Sequence, residues 1–216
     1  MTSGLQSLIF DLDGTLLDSK PGVLASFAAA AKSVFPHAAL DLAQVPLGPP
    51  IRQICRAVFP AISAEETEQM ARAFRSHYDS VGSAQSRLYE GAMEVLSAAS
   101  SRNIRLDIAT NKPLRVTTSI LARLRISHFF QSVVAVDSTE PPFNGKAAMI
   151  RHVLEQNRLP AEDTIYVGDT AEDAAAARVC GIRFVWAAYG YGKLEGSEPV
   201  FKEINKLADL REILQY

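Results

Sequence analysis

Cysteine, net charge and long apolar runs are all scarce in this chain of 216 residues. Its two cysteines, Cys55 and Cys180, stand far apart and fit no CxxC or zinc pattern, so both are expected to be buried free thiols in a reducing compartment. No apolar run approaches the ~20 residues of a bilayer span, which argues against a membrane protein. The opening stretch MTSGLQSLIFD has no positively charged segment and reaches acids before a signal-type apolar region can form, making cytoplasm the expected compartment. Lysine plus arginine total 22 against 24 acids, a formal net charge of −2, so no overall basic field exists to hold nucleic acid or an anionic membrane. A small anion could still bind locally. Internal repeats and low-complexity tracts are missing too; the nearest, FAAAA, is ordinary helix filler.

What is present is a soluble globular composition, 48% hydrophobic and 21% charged, in a chain long enough for one main core with an accessory piece. Short apolar runs rich in β-branched residues recur at Leu8 to Phe10, Ile104 to Ala109, Val133 to Val136, Thr164 to Val167 and Arg183 to Ala187, and read as buried strands. Helical stretches lie among them: Ala92 to Ser101, Leu114 to Leu124, Ala147 to Asn157 and Ala171 to Cys180, the last followed by Gly181 where a C-terminal cap belongs. This alternation predicts an α/β fold with a parallel sheet covered on both faces. Residues 19–85 break the rhythm. They hold helical segments (Val23 to Phe35, Ile51 to Phe59, Ala64 to Ser80) joined by proline-rich links such as VPLGPP, with no convincing strand. A helical cap domain over 19–85, inserted after the first strand of a core made of 1–18 and 86–216, is the expected organisation.

The first strand runs straight into LIFDLDGTLLDS, where Asp11 and Asp13 are two apart and project from one side of an extended chain. Alone, Asp-Gly-Thr is a polar turn. Open α/β sheets, however, bind ligands beyond the carboxyl ends of their strands, and other polar groups arrive there. IATNKP puts Thr110 and Asn111 after the second strand; IYVGDTAED puts Asp169 just past the fourth and Asp173 four residues on; NGKAAMI puts Lys146 at the mouth of a helix. Singly these are a strand-end hydroxyl, an N-cap and a surface lysine. Together they are several carboxylates converging on one sheet edge, which calls for a cation, and an all-oxygen ligand set suits Mg²⁺. A phosphate would satisfy metal and lysine at once, leaving Asp11 to attack phosphorus as a carboxylate nucleophile.

In this order DLDGT, TN, Lys and GDTAED resemble the haloacid dehalogenase superfamily of phosphotransferases. DLDGTLLDS, LYEGAMEVL, TNKP, VGDTAEDAAAARVCGI and YGYG, with the helical insertion, are similar to its phosphoglycolate phosphatase-like branch. The resemblance implies a Rossmann-like core with a helical cap. It makes Asp11 the nucleophile and a Mg²⁺ ligand, and Asp13 the general acid/base, which also lends a backbone carbonyl to the metal. Thr110 and the Asn111 backbone would bind the transferring phosphoryl group, Lys146 would bridge that group to Asp11, Asp169 would ligate Mg²⁺ and Asp173 would support the metal shell. It also implies that the first and fourth strands are neighbours.

Branch members commonly carry Lys-Pro at the third motif. Here Lys146 follows Asn144-Gly145 and precedes Ala147, so Lys112 competes for the bridging role. Asp107, inside an otherwise apolar strand, has no account from sequence.

The function expected is a Mg²⁺-dependent phosphomonoesterase acting on a small phosphorylated metabolite, with a monomer or weak homodimer and neither nucleic acid nor membrane as partner. A dehalogenase has no need of Asp13. A phosphonate hydrolase needs a cap lysine, and only Lys20 and Lys32 lie in 19–85. A sugar phosphomutase and an inactive binding module stay open as alternatives. In LGPPIRQ, Arg52 opens a helix and is expected to read a substrate carboxylate such as that of phosphoglycolate.

Overall fold

The computed structural model describes residues 4–194 and 199–214. The chain divides into two compact units, one made of the residues up to Asp18 together with those from Leu88 onward, the other of Ser19–Arg87.

The chain runs β1 (Ser7–Phe10), β2 (Leu17–Asp18), α1 (Lys20–Val34), α2 (Ile51–Val58), α3 (Ala64–Ser80) and β3 (Arg87–Leu88). It continues with α4 (Ala92–Ser101), β4 (Arg105–Thr110), α5 (Leu114–Arg123), β5 (Ser132–Ala135), α6 (Lys146–Asn157), β6 (Thr164–Gly168), α7 (Ala171–Cys180), β7 (Arg183–Ala187), β8 (Lys202–Ile204) and α8 (Leu210–Ile213). Six strands form one parallel sheet in the order β5-β4-β1-β6-β7-β8, while β2 and β3 make a two-stranded ribbon.

The apolar run Leu8-Ile9-Phe10 is wholly buried because both faces of the sheet are covered. Alternation sends Ile9, Ala109, Tyr166 and Phe184 into a cluster with Met149, Ile150 and Val153 of α6 and Ala174 and Ala177 of α7. Leu8, Phe10, Ile108 and Val167, of opposite parity, are equally buried. Helix ends follow local chemistry. Thr170 and Asp173 close a capping box on α7, and Gly181 ends that helix in the left-handed region at φ 68°. Pro21, preset for a first turn, lets α1 begin at Lys20 rather than at Val23.

Strands β2, β3 and β8 and helix α8 are not among the elements the sequence predicts. Strand β8 carries two charged residues among three and ends the sheet as an edge strand, where charge is tolerated and apolar periodicity is missing. Buried Asp107 faces Ser132 across the β4–β5 register; it accepts Ser132 Oγ at 2.6 Å and both Arg105 Nε and Nη2 at 2.8 and 2.9 Å. It is an edge clamp of the sheet, satisfied by its own strand and its neighbour.

In the helical unit, Phe27, Ala30, Ile54, Cys55 and Met70 form the core. α1 lies close against the turn that follows α3 through Gly22, whose absent Cβ would lie 2.1 Å from the Gly82 carbonyl oxygen. Cys55 and Cys180 are both free thiols. Among the described residues no helix is long and apolar enough to cross a membrane.

Candidate active site

Sheet register decides what meets here. β1 lies between β4 and β6, with Phe10 opposite Ile108 on one side and Val167 on the other, and the Asp11 amide donates to the Val167 carbonyl at 2.9 Å. Asp11, Thr110 and Asp169 therefore leave three adjacent strands at the same edge. Lys146, the first residue of α6, brings Nζ to 2.5 Å from Asp11 Oδ1 and 3.1 Å from Asp173 Oδ1. All four charged groups, Asp11, Lys146, Asp169 and Asp173, are buried.

Asp173 is the most fully engaged. Oδ2 accepts the Thr170 amide at 3.0 Å and the Thr170 hydroxyl at 2.6 Å, and Oδ1 accepts Tyr166 OH at 2.9 Å besides Lys146. Asp169 is held by backbone: Oδ2 accepts the Tyr191 and Gly192 amides at 2.8 and 3.2 Å, and Oδ1 accepts Thr15 Oγ1 at 3.3 Å. Glycine is required around it. Gly14 sits at φ +84°, and a Cβ there would fall 2.3 Å from Asp169 Oδ2; a Cβ at Gly190 would fall 2.3 Å from Asp169 Cβ. Trp186 Nε1 donates to the Asp169 carbonyl at 3.2 Å.

Asp13 and Lys112 form a second pair, with Nζ 3.0 Å from both carboxylate oxygens. Thr110 Oγ1 accepts the Lys112 amide at 3.2 Å, and the Asn111 side chain donates to Glu172 Oε2 at 3.0 Å. The structure thus puts Lys146 on Asp11 and Lys112 on Asp13. Arg52, in the helical unit, forks its guanidinium onto Glu68. Tyr166, Thr15, Trp186 and the Tyr191–Gly192 amides were not singled out from sequence, because neither a tyrosine in an apolar strand nor a backbone amide announces itself. YGYG was visible only as a pattern.

Three acids share one lysine, and burial sets the outcome. Burial pushes Asp11 up to about 8, with the charges of Asp173 and Asp169 adding to it against the pull of Lys146. Burial and Asp173 push Asp169 up to about 6, against the two backbone amides. Burial works against the Asp173 anion as well, but Lys146 and the Thr170 donors hold its pKa below the usual carboxylate value. Lys146 loses hydration on burial, yet Asp11 and Asp173 keep it protonated well above the ordinary lysine range.

Carboxylate oxygens of Asp11, Asp169 and Asp173 lie within 4.8 Å of one another, a hard-oxygen set with more negative charge than Lys146 balances, which fits a small divalent cation.

A carboxyl whose pKa is higher folded than unfolded adds stability below the unfolded value near 3.8 and loses it as pH rises through the folded value. In chelator, the melting temperature should fall between about pH 5 and pH 8 through Asp11 and Asp169. A small divalent cation held here would need these groups ionised and would cancel their repulsion, so the stabilisation on adding one should be larger at pH 8 than at pH 5.5. A shift larger at the lower pH in scanning calorimetry would contradict this charge assignment.

The model of haloacid dehalogenase-like hydrolases matches residues 8–187. The chain belongs to that family. It is 34% identical over 214 residues to the tyrosine-protein kinase PtkA of Mycobacterium tuberculosis, covering 97% of this chain and 72% of that protein. It is 32% identical over 222 residues to a phosphoglycolate phosphatase of Photobacterium profundum, covering 96% of each. Among solved structures, a predicted phosphoglycolate phosphatase from Haemophilus somnus superposes with a TM-score of 0.82 at 26% identity, over 99% of both chains. Family and relatives together make this hydrolase a phosphatase.

Proposed function

We propose that this phosphatase requires Mg²⁺ and hydrolyses a small phosphate ester through a phosphoryl group carried on Asp11, with phosphoglycolate the first candidate substrate. The carrying observation is Lys146 Nζ at 2.5 Å from Asp11 Oδ1 on a sheet edge shared with Asp169. A nucleophilic carboxylate attacks as the anion; Lys146 pulls Asp11 toward that form against burial, and a cation held by the neighbouring acids would add to the pull. Phosphoglycolate is favoured because relatives matched over nearly their whole length carry that name.

In this reading Asp11 attacks phosphorus and Asp13 protonates the departing ester oxygen. Asp13 then takes a proton from water as water displaces Asp11 from phosphorus. Lys146, Thr110 and the Asn111 backbone hold the phosphoryl oxygens, while the Asn111 side chain is tied back by Glu172. Asp11, Asp169 and the Asp13 carbonyl would hold Mg²⁺, whose chemistry there would be polarisation of a phosphoryl oxygen and offset of the acids' charge. The helical unit Ser19–Arg87 is assigned the role of a cap that sets substrate choice.

The test is kcat/KM for a panel of phosphate esters with Mg²⁺, with Ca²⁺ and in excess chelator. Activity should require Mg²⁺ or a similarly small octahedral cation, and Ca²⁺ should inhibit because its larger, looser shell misplaces the attacking carboxylate. Full activity in excess chelator would defeat the metal assignment.

A second reading has a protein hydroxyl rather than water accept the phosphoryl group. It is favoured by the 34% identity to the mycobacterial tyrosine-protein kinase. Incubation with a nucleoside triphosphate labelled at the terminal phosphate separates the two, since only the kinase reading leaves label on protein hydroxyls.

A further inference from the structure

One buried cation near the reacting groups has no task in the scheme above. Lys112 Nζ stands 3.0 Å from both oxygens of Asp13, and its side chain is 6% exposed against 25% for Asp13. The lysine is anchored at its base: its amide donates to Thr110 Oγ1 at 3.2 Å, its carbonyl accepts Thr117 Oγ1 at 3.4 Å, and Pro113 follows at the head of α5. A rigid backbone thus carries an ammonium that grips a more exposed carboxylate symmetrically.

We propose that Lys112 is the positioning residue for Asp13, fixing the plane and reach of its carboxylate for proton transfer. Each oxygen keeps a lone pair beyond the one facing the ammonium, so the grip leaves Asp13 able to act. The grip counts most in the step where Asp13 is the anion. There the water oxygen bonds to phosphorus, a water proton passes to Asp13, the phosphorus–oxygen bond to Asp11 breaks, and inorganic phosphate and the Asp11 carboxylate are released. Without the ammonium the carboxylate is free to rotate, and misplacement of a catalytic group by about 1 Å costs on the order of 100-fold. The first step suffers less when the leaving group is good and needs little protonation. This inference rests on the assignment of Asp11 and Asp13 given above.

The experiment compares wild type, Lys112→Met, Lys112→Arg and Asp13→Ala with 4-nitrophenyl phosphate and Mg²⁺. It reads kcat, KM and, after rapid quench, the mass of the peptide containing Asp11. Circular dichroism confirms that each variant is folded. Lys112→Met should lower kcat by roughly 10- to 100-fold with KM changed less than about threefold, and phosphate should accumulate on the Asp11 peptide as it does in Asp13→Ala. Lys112→Arg should recover most of kcat, because it restores a cation with two-point geometry. A raised KM with no adduct would make Lys112 a substrate contact and overturn the proposal, as would wild-type kinetics in Lys112→Met. If Asp13→Ala itself turned over without an adduct, the scheme of Asp11 and Asp13 would be at fault, and the role given to Lys112 would fall with it.

Discussion

Asp11→Asn should give a folded protein that hydrolyses no phosphate ester at a measurable rate. An amide cannot form the acyl phosphate, so the loss is on the order of 10⁴-fold or more rather than a graded weakening. The fold should survive because Asp11 is the surplus acid of the cluster. Burial and its two neighbouring carboxylates already oppose its ionisation, and Lys146 keeps Asp173 at 3.1 Å when Asp11 is neutral. The checks are steady-state turnover, the melting temperature, and mass spectrometry of the quenched protein. Turnover within about tenfold of wild type would remove Asp11 as nucleophile.

Lys146→Met should damage both stability and activity, and the stability loss should depend on pH. The substitution keeps the length and apolar stem of a side chain that is 4% exposed, and removes the one positive charge facing Asp11 and Asp173. Removing one partner of a buried ion pair costs about 3–5 kcal/mol when the other stays charged. At pH 8 the loss should approach that size. At pH 5.5 it should be smaller, because Asp173, no longer held below the usual carboxylate range by the lysine, takes up a proton more readily there and so leaves less buried charge unpaired. Turnover should fall by roughly 10²–10³, the scale for losing one preorganised group that stabilises developing charge. Urea titrations at the two pH values decide the first part and kcat the second; equal losses of stability at both would show that packing, not charge, is what Lys146 contributes.

The contrast between these two residues shows how far the sequence could be read. Asp11 stands out on its own, at the end of a three-residue apolar run whose burial is predictable from period and length. Lys146 does not, because a lysine at a helix start looks like any surface lysine until the helix is placed. Its contact with Asp11 spans 135 residues and exists because β1 and β6 are neighbours and α6 precedes β6. Lys112 is subtler still: the sequence offers it beside Thr110 and Asn111, and only the fold aims it at Asp13. Arg52 is a fork-shaped donor at a helix start, which suggests a carboxylate partner; the sequence does not show that Glu68, 16 residues away on α3, is within its reach.

By itself the sequence determined the α/β alternation, most helix ends and the set of acids at the strand ends. These depend on period, capping and turn chemistry within a few residues. The tertiary structure alone decided which acid meets which lysine, why Asp107 can be buried, that Tyr166 and Thr170 fill Asp173, and that glycines close around Asp169. Those outcomes depend on strand order and on distances between segments more than 100 residues apart in some cases, as with Asp11 beside Lys146 and Thr15 beside Asp169. A charged group leaves no local trace of the partner that will share its burial; only the closed sheet brings the two together.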